Sequence, residues 1–328
     1  MIEKFRRMLS REEEGLSMPV FDGKYSYANA GAFGSRYGKL EAQIETTEFV
    51  ELARVFTIDT NRVRAFFELP LQLIFWSATI GNVKLLGRHA VGVHPEDDSR
   101  DEDDDVDRSI LDTYKRLVTN PNPDKVLAFS SNVLGSMVGD DNGVTIDAAC
   151  QGVEASFAAM IMSAYATFET LSADLWIAAV NKHVSLAQNW SKQNPNKQFN
   201  MDELYSRGGD ISKSSGTALH QTRKVTFESL KEIRAAYSQA FKSELDHAFE
   251  AVPYIAAAEK FRHLFAHRGG LIDRKFRDEM DRFEESKEMV IGERLRLTGD
   301  VTGTIVAACV ECGVELLTGV DNWSKARL

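Results

Sequence analysis

The sequence predicts a mainly α-helical protein, and two observations carry this prediction. In the second half of the chain, apolar residues recur every three or four positions over long stretches, which is the spacing of one face of a helix. The 43% hydrophobic content excludes a disordered chain, and seven prolines in 328 residues are too few for a low-complexity linker protein. We therefore expect a C-terminal helical bundle that follows an α-rich N-terminal region.

We divide the chain into residues 1–145 and 146–328 because its character changes between them. Residues 139–143 read GDDNG, and a long alanine-rich pattern with few charges follows this run. Residues 1–145 are predicted to be an α-rich region without an assigned role. Within it, residues 45–86 are predicted to be helical, with interruptions near Asp59-Thr60 and at Pro70.

The elements of the predicted bundle follow one another in order, separated by polar residues, proline or glycine. The first helix has the clearest signal, which is a buried stripe at helical spacing from Phe157 to Trp176. Pro253 suits the first turn of a later helix, and the Gly269-Gly270 pair suits the end of that helix. The predicted elements are a helix over 146–190, an insertion over 188–221 that begins as a loop over 188–200, a helix over 222–250, a helix from Pro253 to Gly269-Gly270, a polar segment over 273–288, a short β-like pair over 289–297 and a helix over 300–317.

Most of the formal net charge of -10 comes from one short segment. Residues 96–107 contain nine acidic residues and one basic residue, and like charges this dense repel each other. We expect a solvated acidic loop. An EF-hand loop that began at Asp101 would need Gly and Glu where the chain has Val106 and Asp112, so the sequence does not support one. The global charge therefore does not exclude nucleic acid at another place on the protein.

The most informative segment is EKFRHLFAHRGG, which spans residues 259–270 at the end of a predicted helix. Between Lys260 and Arg277 lie six basic residues and one acidic residue, Asp273. A local positive charge of this kind is what a phosphate backbone requires, whatever the charge of the whole protein.

Two side-chain types in this segment, histidine and arginine, are candidates for metal binding or catalysis. His263 and His267 are four residues apart and therefore share a helix face, but the sequence offers no third metal ligand. An imidazole suits general acid–base work near neutral pH, and the Arg262 guanidinium suits a phosphate that gains charge. The alternative interpretation is that these side chains only cap the last carbonyls of the helix.

The spacing of Arg262, His263 and His267, late in a helix of an all-α bundle, resembles the R-x4–6-H motif of HEPN domains. The polar residue directly after the arginine is typical of that family. The resemblance covers roughly residues 146–328, and the insertion over 188–221 departs from the family's pattern.

The resemblance implies a bundle of four or five helices that usually dimerises and cuts RNA without a metal. It implies that His267 is the general acid or base for attack by the ribose 2'-hydroxyl, and that Arg262 stabilises the charged transition state. It implies that His263 orients RNA or assists His267. The residues expected to bind RNA or support the site are Lys260, Arg268, Arg274 and Glu169, the last of which could pair with one of the cations.

A second candidate for nucleic-acid binding lies in the N-terminal region, where residues 51–66 partly fit a helix-turn-helix pattern. Thr57 stands at the position of the turn, and Arg62 and Arg64 would lie on the recognition helix. Two ordinary core helices are the alternative interpretation. A DNA contact at this place would fit a protein that binds nucleic acid without cutting it.

Other motifs point to packing or are absent. Cys309 and Cys312 form one C-x-x-C in an apolar stretch, which we expect to be buried packing rather than a zinc or redox site. The sequence contains no P-loop, no Rossmann fingerprint and no G-x-S-x-G motif.

These observations lead to one expected function and one alternative. We expect a metal-independent endoribonuclease of HEPN type, without a cofactor, that acts on RNA in toxin or antiviral defence as a homodimer and can be neutralised by an antitoxin or regulatory partner. The alternative is a non-catalytic HEPN-like scaffold for dimerisation or nucleic-acid binding. The apolar stretch over 69–86 is short for a membrane span and contains polar residues, so we expect no membrane contact and a cytoplasmic location.

Overall fold

The computed structural model describes residues 37–66, 147–197, 214–249, 252–281, 283 and 289–327. In these ranges the protein is mainly helical and has no strand, which confirms the predicted fold class. The acidic run over 96–107, the apolar stretch over 69–86 and the middle of the insertion lie outside the described residues. The described α-helices are α1 (Leu40–Gln43), α2 (47–66), α3 (Asp147–Lys182), α4 (Val184–Gln193), α5 (Ser215–Gln221), α6 (Leu230–Phe241), α7 (Val252–Arg268), α8 (Arg274–Glu279) and α9 (Gly299–Lys325).

The core of the bundle is built around α3 and α9, which pack against each other, and α7 packs against both. The predicted stripe on α3 is confirmed, since Phe157, Tyr165 and Trp176 are fully buried. Helix α9 is apolar enough and long enough to cross a membrane, but 67% of its most apolar 18-residue stretch is buried inside the protein. Its composition therefore matches its central position in the bundle.

The first long helix ends earlier than predicted. Helix α3 stops at Lys182, His183 takes an extended conformation, and α4 begins at Val184. The break is held by the last helix, because His183 Nε2 lies 2.7 Å from Ser324 Oγ and the imidazole packs edge-on against Trp323. The predicted loop over 188–200 is wrong for residues 188–193, since α4 continues to Gln193.

The second bundle helix is much shorter than the predicted 222–250. Ser229 begins α6 by accepting a hydrogen bond from the backbone N–H of Glu232, and α6 ends at Phe241. Lys242 and Ser243 then adopt left-handed conformations, which end the helix, before a 3-10 turn over Asp246–Phe249. The apolar residues before Ser229 are buried without being helical.

The predicted β-like pair over 289–297 is wrong, because this segment pairs with another part of the chain. An isolated antiparallel bridge joins Leu271 to Arg294, and the N–H of Ile272 donates to Glu293 O at 2.9 Å. The segment therefore pairs with the residues that follow α7 rather than with itself. The polar segment over 273–288 contains the short helix α8, and α9 runs eight residues beyond the predicted end at 317.

The helix-turn-helix prediction is wrong. Residues 47–66 form one helix, with no interruption near Asp59. Thr57, at the predicted turn, donates its hydroxyl to Ala53 O at 2.8 Å in the usual pattern of a helix interior. Phe56 and Val63 face the core on the same side of this helix.

The segment 37–66 and the C-terminal bundle share one hydrophobic core. Phe56 lies so close to α9 that a Cβ added to Gly313 would be 2.5 Å from its ring. Asp321, in the last turns of α9, accepts hydrogen bonds from the backbone N–H groups of Thr46 and Glu45, which precede α2. The last turns of α9 therefore hold α2 in place.

Candidate active site

Helix α7 ends where the sequence predicts. Gly269 and Gly270 have φ angles of 59° and 85°, and such left-handed conformations suit glycine. The N–H of Gly270 donates to Leu264 O at 3.4 Å, and a Cβ at this glycine would be 2.9 Å from the Phe265 ring. The last turn of α7 is thus fixed by a glycine cap and presents its side chains at one end of the bundle.

The two histidines of this turn lie side by side on its exposed face. The ring centroids of His263 and His267 are 4.6 Å apart, with an angle of 53° between the ring planes. Among the described residues, neither imidazole makes a hydrogen bond or an ion pair. Both rings are therefore available to a ligand from solvent.

Arg262 points in another direction, towards α3. Its Nη1 donates to both carboxylate oxygens of Glu169, at 2.9 and 3.0 Å. Its Cζ lies 5.3 Å from the centre of the Tyr165 ring, which is one helical turn before Glu169 on α3. The guanidinium is therefore held by a carboxylate and an aromatic ring.

This arrangement leaves Arg262 able to bind another anion. The side chain is 39% exposed, and the two bonds to Glu169 use a single nitrogen of a group that has five N–H donors. Burial raises the pKa of Glu169, and the hydrogen bond from Arg262 opposes that rise. The carboxylate thus orients the guanidinium without occupying all of its donors.

Tyr165 lies beneath the guanidinium and is fully buried. Its hydroxyl has no hydrogen-bond partner among the described residues, and burial raises the pKa of this phenol. The hydroxyl therefore contributes a desolvation cost without a compensating bond, whereas the ring supplies the contact with Arg262.

Replacing Tyr165 with phenylalanine should leave the free energy of unfolding unchanged or raise it by about 1 kcal/mol, because the change removes an unpartnered buried hydroxyl and keeps the ring. Tyr237 is the matched control. It is equally buried, but its hydroxyl donates to Ser172 O at 2.8 Å, so Tyr237→Phe should cost about 1 kcal/mol. Urea unfolding of both variants tests this difference, and equal losses would contradict it.

The other predicted basic residues are spread around the same end of the bundle. Lys260 Nζ lies 3.3 Å from Glu279 and 3.9 Å from Glu259, and Arg268 Nε lies 3.5 Å from Asp273. The predicted excess of positive charge in this segment is thus partly neutralised by Asp273, which the count along the chain includes, and by Glu259 and Glu279, which lie just outside the counted residues. Three exposed cations lie in α8, namely Arg274, Lys275 and Arg277.

The described residues contain no group of three or more side chains that could hold a metal ion together. Cys309 and Cys312 are buried in α9, where Cys312 Sγ donates to Ala248 O at 3.1 Å. Burial raises the pKa of the Cys309 thiol to about 12. The interpretation of this C-x-x-C as buried packing is confirmed.

The sequence suggests Glu169 as a partner for a cation, but it marks Tyr165 only as part of a buried stripe. The signal that was available is their spacing, since residues four apart on a helix lie on the same face. Glu259 was also missed, although its side chain accepts a hydrogen bond from the N–H of Leu230 at the start of α6. No local pattern reveals that contact, because the two residues lie in different helices.

Comparison of the chain with protein-family models, with curated proteins and with solved structures found no match. The resemblance to HEPN domains is therefore an expectation from the sequence motif in α7.

Proposed function

We propose that this chain is a metal-independent endoribonuclease of HEPN type. The observation that carries the proposal is the last two turns of α7, where two exposed imidazoles follow an arginine that Glu169 orients. Within the described residues, Arg262 bonds to Glu169 through one nitrogen only. A general acid–base group and a cation for a charged phosphate are the two groups that metal-free RNA cleavage needs.

In the proposed reaction, the ribose 2'-hydroxyl attacks the adjacent phosphorus. As the O2'–P bond forms and the P–O5' bond breaks, His267 either accepts the 2'-hydroxyl proton or donates a proton to the departing 5'-oxygen, and solvent exchanges the other proton. His263 orients the RNA or assists His267. Arg262 donates from the nitrogens that Glu169 does not use to the phosphate oxygens, whose charge rises in the transition state.

The exposed cations of α8 support RNA as the partner. Arg274, Lys275 and Arg277 lie within ten residues of His267 along the chain, and they are exposed as contacts to a phosphate backbone require. Such contacts would make binding weaken as the salt concentration rises.

The protein would act in the cytoplasm, in toxin or antiviral defence. It would work as a homodimer, and an antitoxin or regulatory partner would restrain it. Both imidazoles are exposed, and dimerisation at this face would bring two copies of the motif together.

Purified full-length protein should cut a fluorescently labelled RNA in excess EDTA and leave a DNA of the same sequence intact. DNA lacks the 2'-hydroxyl that serves as the nucleophile, so it cannot react by this route. Gel analysis of both nucleic acids gives the result. Intact RNA, or equal cutting of RNA and DNA, would contradict the proposal.

The alternative is a scaffold that binds RNA or a protein partner without cleavage. The observation that favours it is the ion pair of Arg262 with Glu169, since a structural arginine would be held in the same way. A scaffold would retain RNA binding in Arg262→Ala and His267→Ala and would show no cleavage in any form. The DNA-binding version of this alternative has lost its support, because 47–66 is one continuous helix.

A further inference from the structure

The exposed histidine pair of α7 has a geometry that the proposed reaction does not by itself require. The imidazoles of His263 and His267 lie one helical turn apart, with ring centroids separated by 4.6 Å. Two imidazoles that bind one zinc ion through ~2.0–2.1 Å bonds have ring centroids roughly 5 Å apart. The pair is therefore already close to the separation that chelation needs.

We propose that His263 and His267 together form a binding site for one late first-row transition metal ion, such as Zn²⁺. Each neutral imidazole would supply one nitrogen, and water would fill the remaining coordination positions, since the described residues add no third ligand. Both rings are exposed, so an ion can reach them from solvent without a rearrangement of the bundle.

The chemistry of the ligands determines which ions fit. Imidazole nitrogen suits Zn²⁺, Ni²⁺ and Cu²⁺, whereas Mg²⁺ and Ca²⁺ prefer oxygen ligands. Asp273, the carboxylate that follows the end of α7, is engaged by Arg268 and by the N–H of Phe276. The site is therefore expected to discriminate strongly against Mg²⁺.

The ion would act on the proposed reaction as an inhibitor, and this step rests on the proposed function. A metal bound to His267 occupies the nitrogen lone pair that a general base needs to accept a proton. Bound Zn²⁺ would therefore suppress RNA cleavage, and removal of the ion by EDTA would restore it. The same two side chains would thus serve as the catalytic pair and as the place where a metal turns them off.

Titration calorimetry of the metal-free full-length protein with ZnCl₂ tests the site. Wild type should bind one Zn²⁺ per chain, and His263→Gln should weaken the affinity at least about tenfold, because one of two protein ligands is lost. The matched control is His247→Gln, which changes an exposed histidine in the turn over Asp246–Phe249 and should bind as wild type does. MgCl₂ should give no binding.

Absence of Zn²⁺ binding by wild type, or equal affinity in His263→Gln and wild type, would overturn the inference. These experiments distinguish a failure of the metal site from a failure of the proposed RNA cleavage. Cleavage of RNA in EDTA without zinc binding would leave the proposed function standing and remove the metal site. Zinc binding that depends on His263, in a protein that cuts no RNA, would support the metal site and contradict the proposed function.

Discussion

Replacing His267 with alanine should lower the rate of RNA cleavage by about 10²–10⁴-fold, which is the range for loss of a general acid or base. The fold should survive the change, because the imidazole is exposed and, within the described part of the chain, makes neither a hydrogen bond nor an ion pair. The first-order rate of cleavage of a labelled RNA in EDTA measures the effect, and thermal unfolding shows whether stability is retained.

His247→Ala is the control for this variant. His247 is exposed and lies in the turn over Asp246–Phe249, so its loss removes an imidazole from another part of the protein. This variant should cleave RNA at the wild-type rate. If His267→Ala also kept the wild-type rate, His267 would not be the acid–base group.

Replacing Asp321 with alanine should lower the free energy of unfolding by about 2–3 kcal/mol. The residue is 1% exposed, and its carboxylate accepts from Thr46 N at 2.9 Å and contacts Lys325 Nζ at 3.1 Å. Alanine would leave these donors without an acceptor and would loosen the start of α2 on the bundle. Urea unfolding measures the loss, and the exposed Asp246→Ala should cost less than about 0.5 kcal/mol.

The same carboxylate makes stability depend on pH in a defined direction. Burial alone would raise the pKa of Asp321, but hydrogen bonds from Thr46, Lys325 and Glu45 outweigh it and lower the pKa below its ordinary value of 3.8. A lowered pKa in the folded state means that the contribution is complete above the unfolded value and is lost as the pH falls through the folded value. The stability gap between wild type and Asp321→Ala should therefore narrow in acid, and a gap that widened below pH 4 would contradict this assignment.

Local patterns in the sequence were sufficient for the helical class and for the end of α7. The apolar spacing on α3 is a local property, and so is the glycine pair that ends α7. The break at His183 could not be predicted in this way, because the contact that holds it comes from Ser324, 141 residues further along the chain. The continuity of α2 was missed for a related reason, since Asp59 and Thr60 suggested a break that packing against the bundle overrides.

The candidate site also combines residues that a local pattern reveals with contacts that only the fold creates. Arg262 and His267 were singled out from a short motif, and their place at the end of α7 follows from the chain itself. The side chains that hold Arg262 come from α3, more than ninety residues earlier, so only the fold brings Tyr165 and Glu169 beneath it. The local charge was overestimated for the same reason, because the carboxylate of Glu169 was not counted with the cations.

The chemical ends of the cleaved RNA test the central claim most directly. After incubation of the full-length protein with a labelled RNA in excess EDTA, mass spectrometry should find 2',3'-cyclic phosphate and 5'-hydroxyl ends, because the 2'-hydroxyl is the proposed nucleophile. Products with 3'-hydroxyl and 5'-phosphate ends, or cleavage that stops when EDTA is added, would show a metal-activated water instead and would contradict the role assigned to Arg262 and His267.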